Sequence, residues 1–183
     1  MHVFDAVGAN NTEKCLALAY QRAEELGIHH ALVASTSGAT GLEAARTARG
    51  IELVVVTHST GFDRSGVQEA EQGRLEQIRE TGARVLTATH AFGGVGRAVR
   101  RKFATVQTEE LVAQTLRLFG EGTKVAVEIA LMAADAGLAP IDRDVIAVAG
   151  TGHGADTALV LRPAHAQDLF DLKVREIVCK PRL

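Results

Sequence analysis

Ser35, Thr36, Ser37 and Thr40 set four hydroxyls around Gly38 and Ala39. The stretch lies between an apolar run, Ala31–Ala34, and an alanine-rich helical stretch, Leu42–Ala48. A strand that feeds a helix through such a turn leaves the first N–H groups of the helix without intrahelical acceptors, at the positive end of its dipole. With the hydroxyls, those N–H groups make a cradle for a phosphate. Gly38 lets the backbone approach an anion closely or take a positive φ. The same residues can also do no more than cap the helix, and spacing alone leaves both readings open.

Other residues with chemical potential fall in loops. His58, His90 and His153 follow apolar runs, and histidine titrates near neutral pH and ligates zinc. No carboxylate or cysteine stands near them at ligand spacing, so no metal site is expected. His90, after Thr87-Ala88-Thr89, is the favoured ligand contact. Gly150-Thr151-Gly152-His153-Gly154 looks like a dinucleotide fingerprint. The following Thr157–Leu161 reads as strand rather than helix, which excludes the Rossmann arrangement. Such glycines form either a backbone nest for an anion or a hairpin turn. Asp156 beside them is an acceptor for a ligand hydroxyl or a turn stabiliser. Lys124 and Glu128, four apart, pair on one helix face, or Lys124 reaches the anion instead. Arg97, Arg100, Arg101 and Lys102 form a basic cluster that reads as a solvated face in preference to a phosphate clamp. There is no nucleophile elbow, Walker lysine or paired catalytic carboxylates, so binding is better supported than catalysis.

The elements that must position these residues alternate. A weak edge strand, His2–Val7, precedes a helix capped by Asn10 or Asn11 and stopped at Gly27. Strands are expected at Ala31–Ser35, Leu53–Thr57, Ala83–Thr87, Asp144–Ala149, Thr157–Leu161 and Val174–Cys179. Helices are expected at Gly41–Ala48 and Val67–Glu80. Others are a segment capped by Thr108 that runs to Phe119, and an apolar one from Lys124 to Ala136. Strands alternating with helices imply a mostly parallel sheet covered on both faces. Ligands then bind beyond the strand C-terminal ends, where the loops at Ser35, Thr57, Thr89 and Gly150 converge.

The 183 residues suffice for one domain, 1–183, with a proper core. The net charge of −2 and the lack of a basic stripe argue against a nucleic-acid partner. Cys15 and Cys179 each sit in an apolar segment without metal spacing. They read as reduced core thiols of a cytoplasmic protein. The opening Met1–Asp5 has neither part of a signal peptide, and the apolar helix is too short for a bilayer. A small phosphorylated ligand is the expected partner, a membrane is not, and a homo-oligomer is compatible with the sequence.

Ser35-Thr36-Ser37-Gly38-Ala39-Thr40 resembles the phosphate-binding loop in the C-terminal domain of pyruvate kinases, with Ala39 where a threonine is common. Gly150–Leu161 is similar to the effector loop near the end of that domain. In the kinases these loops can hold the phosphates of a sugar bisphosphate. Asn11-Thr12-Glu13, Gly61-Phe62, Thr87-Ala88-Thr89-His90 and Glu128-Ile129-Ala130 resemble signatures of small stand-alone proteins with this fold, largely archaeal and bacterial. Met132–Gly137, Gly154–Ala158 and Lys180-Pro181-Arg182 do so too. The resemblance implies a three-layer αβα fold, mostly parallel with an antiparallel edge, and bound flavin mononucleotide (FMN) in the rim cleft. Kinase activity does not carry over, because it resides in a barrel domain that this resemblance does not cover. The expected ligand site comprises Ser35, Thr36, Ser37, Gly38, Ala39 and Thr40, then Thr57, His58, Gly61, Phe62, Thr89 and His90. Lys124, Glu128, Gly150, Thr151, Gly152, Gly154, Asp156 and Thr157 complete it.

Overall fold

Runs of valine, leucine and alanine too apolar to face water on either side become the inner strands. The computed structural model describes residues 1–183. Its strands are β1 (His2–Phe4), β2 (His30–Ala34), β3 (Glu52–Thr57), β4 (Arg84–Thr87), β5 (Val145–Ala149), β6 (Thr157–Arg162) and β7 (Lys173–Pro181). They form one seven-stranded sheet in the order β1-β7-β6-β5-β2-β3-β4. β2, β3, β4 and β5 run parallel. The antiparallel pairings fall on the other flank, where β6 opposes both β5 and β7, and β1 lies parallel to β7 at the margin.

The helices are α1 (Thr12–Leu26), α2 (Ala39–Thr47), α3 (Gln72–Glu80), α4 (Val95–Phe103), α5 (Thr108–Arg117) and α6 (Glu121–Asp135). Strand pleating divides the core between two faces. Val33, Val55, Ile146 and Val148 point to one side and pack with Cys15, Leu16, Ala19, Ala44 and Ile78 of α1, α2 and α3. Leu32, Val54, Val145 and Ala147 point to the other and pack with Ala126, Val127, Ala130 and Leu131 of α6. The architecture is thus three layers, αβα. α6 is buried from Gly122 to Ala134 except at Val125, as its sequence implies.

Several local expectations change. The helix expected over Val67–Glu80 forms only from Gln72. The segment before it is a loop closed by Gly61 N–H to the Val67 carbonyl (2.9 Å) and by the Gln68 amide to the His58 carbonyl (3.0 Å). α5 is capped by Gln107, in a reciprocal box with Glu110, and Thr108 is its first residue. Asn11 precedes α1 but donates its amide to the Ala6 carbonyl, 2.7 Å, instead of capping. Cys15 and Cys179, distant in sequence, touch across α1 and β7 with their sulphurs 3.6 Å apart, both as free thiols. The contact with Cys179 and burial push the Cys15 thiol up. No helix is long and apolar enough to cross a membrane.

Candidate functional site

The C-terminal ends of β2, β3, β4 and β5 share one rim, as parallel pairing requires. After β2 the chain turns through Ser35–Gly38 into α2, with Gly38 in the left-handed region at φ 87°. Ser35 Oγ, buried, accepts the Gly41 N–H at 3.0 Å, and Ser37 Oγ takes the Ala39 N–H at 3.5 Å. Ser35 is therefore a cap as well as a wall of the site. The N–H groups of Ser37, Gly38 and Thr40 have no acceptor within the protein. A side chain at position 38 would put its Cβ 3.1 Å from Arg74 Cβ and strain the backbone, so glycine is required there.

The loops after β3 and β4 carry His58, Phe62 and His90 as a cluster of rings. Phe62 lies 4.1 Å from His58 and stacks on His90 at 4.6 Å, centroid to centroid. The Arg97 guanidinium sits 4.3 Å over Phe62, so Arg97 belongs to the site and not to a solvated face. Both histidines have carboxylate neighbours, contrary to the spacing argument. His58 Nδ1 is 2.8 Å from Glu69 Oε2, and His90 Nδ1 is 3.7 Å from Glu128 Oε2. His58 Nε2 meets Thr36 Oγ1 at 3.3 Å. The buried Nε2 of His90 has no partner at all. Thr57 is buried, and its hydroxyl is engaged by Thr87 at 2.6 Å.

α6 supplies the opposite wall. Glu121, Val125, Glu128, Ile129 and Met132 recur at helical spacing along one side. Lys124 pairs with Glu128 in a buried contact, and Glu128 also accepts the Phe92 N–H at 3.0 Å. Burial opposes the charge on Glu128. The neighbouring His90 ring and the Lys124 ammonium outweigh it and hold the carboxyl down to about 2, against an ordinary 4.5. A lowered folded-state pKa stabilises fully above the unfolded value and is lost as pH falls through the folded one. Glu128 is therefore expected to contribute on the order of 3 kcal/mol that disappears between about pH 4.5 and 2. Urea titrations across that range check this, because Glu128→Gln should flatten the acid loss.

The glycine loop between β5 and β6 closes the third side. Asp156, fully buried, accepts the N–H of Gly8 (3.0 Å) and Thr151 (3.2 Å) and the Thr157 hydroxyl (2.8 Å). It fastens the loop to the start of the chain, with three of its roughly four acceptor sites taken up within the protein. The result is a cavity of about 670 Å³, within the usual range for small-molecule sites.

Ser35, Thr36, Ser37, Ala39, Thr40, His58, Phe62 and His90 line it. So do Thr57, Lys124, Glu128, Gly150, Gly152 and Gly154. Gly38, Gly61, Thr89, Thr151, Asp156 and Thr157 lie outside its lining; Thr89 is exposed, and the others shape the loops around the cavity through their backbone or hydrogen bonds. The lining also includes Thr12, Glu13, Glu43, Arg97, Arg117 and Glu121, and the apolar Val125, Ile129 and Met132. The α6 spacing was a readable signal for its members, but the rest come from long-range packing. Beside this cavity a second hollow of about 800 Å³, bordered by Arg100 and Arg101, shares Arg97, Arg117 and Lys124 with it.

The family model described as pyruvate kinase, alpha/beta domain matches residues 13–161. The chain belongs to this family. The matched span contains the Ser35–Thr40 turn, His58, His90, α6 and the glycine loop, and so most of the cavity lining, while Ala9, Asn10 and Thr12 lie just before it. A solved structure of a mutant O-ureido-L-serine synthase with O-ureido-L-serine bound is similar at 18% identity and a TM-score of 0.33. That match covers 68% of this chain, which spans 47% of the synthase chain.

Proposed function

We propose that this domain binds a phosphorylated small molecule in the rim cavity, with FMN the first candidate. The observation that carries the reading is the set of unpaired N–H groups of Ser37, Gly38 and Thr40 at the positive end of α2. The Thr36 and Ser37 hydroxyls stand beside them. Arg97 brings a cation to the lining that no carboxylate pairs with, whereas Arg117 and Lys124 are paired with Glu121 and Glu128.

The residues fit both ends of FMN. The phosphate matches the cradle, and Val56, Val125, Ile129 and Met132 offer an apolar wall to a flat ring. Phe62 already has His90 on one side and Arg97 over its ring, so it frames a ring site instead of presenting a bare face. Bound flavin would supply redox chemistry, while the chain binds, orients and shields it. A second reading, a non-enzymatic sensor of a sugar phosphate, is favoured by the polar lining at Asn10, Glu13, Glu43 and Glu121, which suits a polyhydroxylated ligand.

Purified protein decides between them. Yellow colour with flavin absorption supports FMN. Colourless protein that is thermally stabilised by sugar phosphates supports the sensor, and no response to either overturns both. In titrations with the ligand so identified, Thr36→Ala is expected to cost about 1–3 kcal/mol of affinity, the value of a hydrogen bond to a charged group. Gly38→Val should cost more. Unchanged affinity in both variants would place the phosphate elsewhere.

A further inference from the structure

Resting on that phosphate reading, we propose that the cradle is a phosphoryl-transfer site in which Thr36 is the nucleophile and His58 its general base. The substrate class is a small phosphate monoester or acyl phosphate. Thr36 Oγ1 lies 3.3 Å from His58 Nε2, and His58 Nδ1 lies 2.8 Å from Glu69 Oε2. A carboxylate at Nδ1 fixes the proton there, so the Nε2 lone pair faces the Thr36 hydroxyl. Hydroxyl, imidazole and carboxylate thus stand in the order of nucleophile, base and positioning group.

The relay is held from outside. The Gln68 amide donates to the His58 carbonyl at 3.0 Å, and Gln68 Oε1 accepts the Ala70 N–H at 2.9 Å, which brackets Glu69. Phe62 packs on the imidazole. A residue that only binds phosphate has no need of this chain of partners.

Position in the fold adds the second half of the argument. Thr36 stands in the strand-to-helix turn, and the free N–H groups of Ser37, Gly38 and Thr40 follow it directly. A phosphoryl group held by those donors has its phosphorus beside the Thr36 oxygen, and the donors face the charge that develops during transfer.

The step balances with water as the co-reactant. A bond forms from Thr36 Oγ1 to phosphorus while the bond from phosphorus to the leaving oxygen breaks, and the leaving group keeps that electron pair. The Thr36 proton passes to His58 Nε2. Water then bonds to the phosphorus as the bond to Thr36 breaks, His58 returns the proton to Thr36, and the proton from water goes to solvent. Inorganic phosphate leaves.

The test uses the full chain with acetyl phosphate, whose leaving acetate needs no proton. Samples are acid-quenched over time for intact mass and fragment mapping, and phosphate release is followed in parallel. The expected result is one added phosphoryl group on Thr36. It persists in Thr36→Ser, is absent in Thr36→Ala, and forms at least about 100-fold more slowly in His58→Gln. Glu69→Gln should slow it and displace its pH profile, which a merely structural role would leave in place. Binding of inorganic phosphate, read by thermal shift, separates the two claims. Phosphate binding without a Thr36 adduct at any quench time, or with an adduct on another residue, overturns this inference and leaves the binding reading standing. No phosphate binding overturns both.

Discussion

Lys124→Ala is expected to lower folding stability by about 3–5 kcal/mol, because it strips one partner from a buried ion pair. Lys124 is 7% exposed and Glu128 3%. Without the ammonium, the Glu128 carboxylate keeps the Phe92 N–H at 3.0 Å and a His90 ring at 3.7 Å. Those contacts do not repay the desolvation of a full charge. Urea denaturation measures the effect as a lower midpoint with an unchanged slope. The double variant Lys124→Met, Glu128→Leu provides the comparison. An apolar pair of similar volume is often neutral, but the Phe92 N–H would then be orphaned at about 1–3 kcal/mol. The double variant should therefore lose less than Lys124→Ala alone. A single-variant loss below about 1 kcal/mol, the range of exposed pairs, would mean that water reaches this pair and that the wall behind the cavity is not dry.

This pair was legible in the sequence because its partners are one helical turn apart. The turn from β2 into α2 was legible for the same reason: strand, turn and helix are contiguous, and Gly38 with its hydroxyl neighbours marks it. Alternation of strands and helices gave the layers, and the run Thr157–Leu161 gave a strand where a Rossmann turn needs a helix. The histidine–carboxylate contacts were not legible. Glu69 reaches His58 only because residues 58–71 fold back through Gly61, Val67 and Gln68, and those hydrogen bonds have no periodicity. Glu128 reaches His90 from a helix on another element. Arg97 illustrates the limit of charge patterning. Its neighbours do form a basic face, yet its guanidinium turns over Phe62 because the loop after β3 brings that ring beneath it. The meeting of Cys15 with Cys179 likewise follows from β7 returning to lie between β6 and β1.

The glycine loop offers a sharper separation of strain from contact. Gly154→Ala is expected to destabilise the fold by about 3 kcal/mol or more, the sum of left-handed strain and overpacking. Gly154 has φ 75°, and a Cβ there would fall against the Ala9 backbone and 2.5 Å from Thr12 Oγ1. That hydroxyl is already committed, because it accepts the Ala155 N–H at 3.0 Å and donates to the Ala9 carbonyl at 2.7 Å. It cannot yield without breaking the seam between the loop and the start of α1. Gly152 is the matched control. Its φ is 76°, but a Cβ there meets nothing within 4 Å, so Gly152→Ala should cost only the strain, about 1–2 kcal/mol. Thermal and urea unfolding of the two variants side by side isolates the contact term as their difference. Because Ala9 and Gly154 both line the cavity, relief of the clash displaces that part of its wall, and ligand affinity should fall in Gly154→Ala more than in Gly152→Ala. Equal losses in both variants would show that the seam gives way freely, and that the loop closes the cavity by its own conformation and not by its fastening to α1.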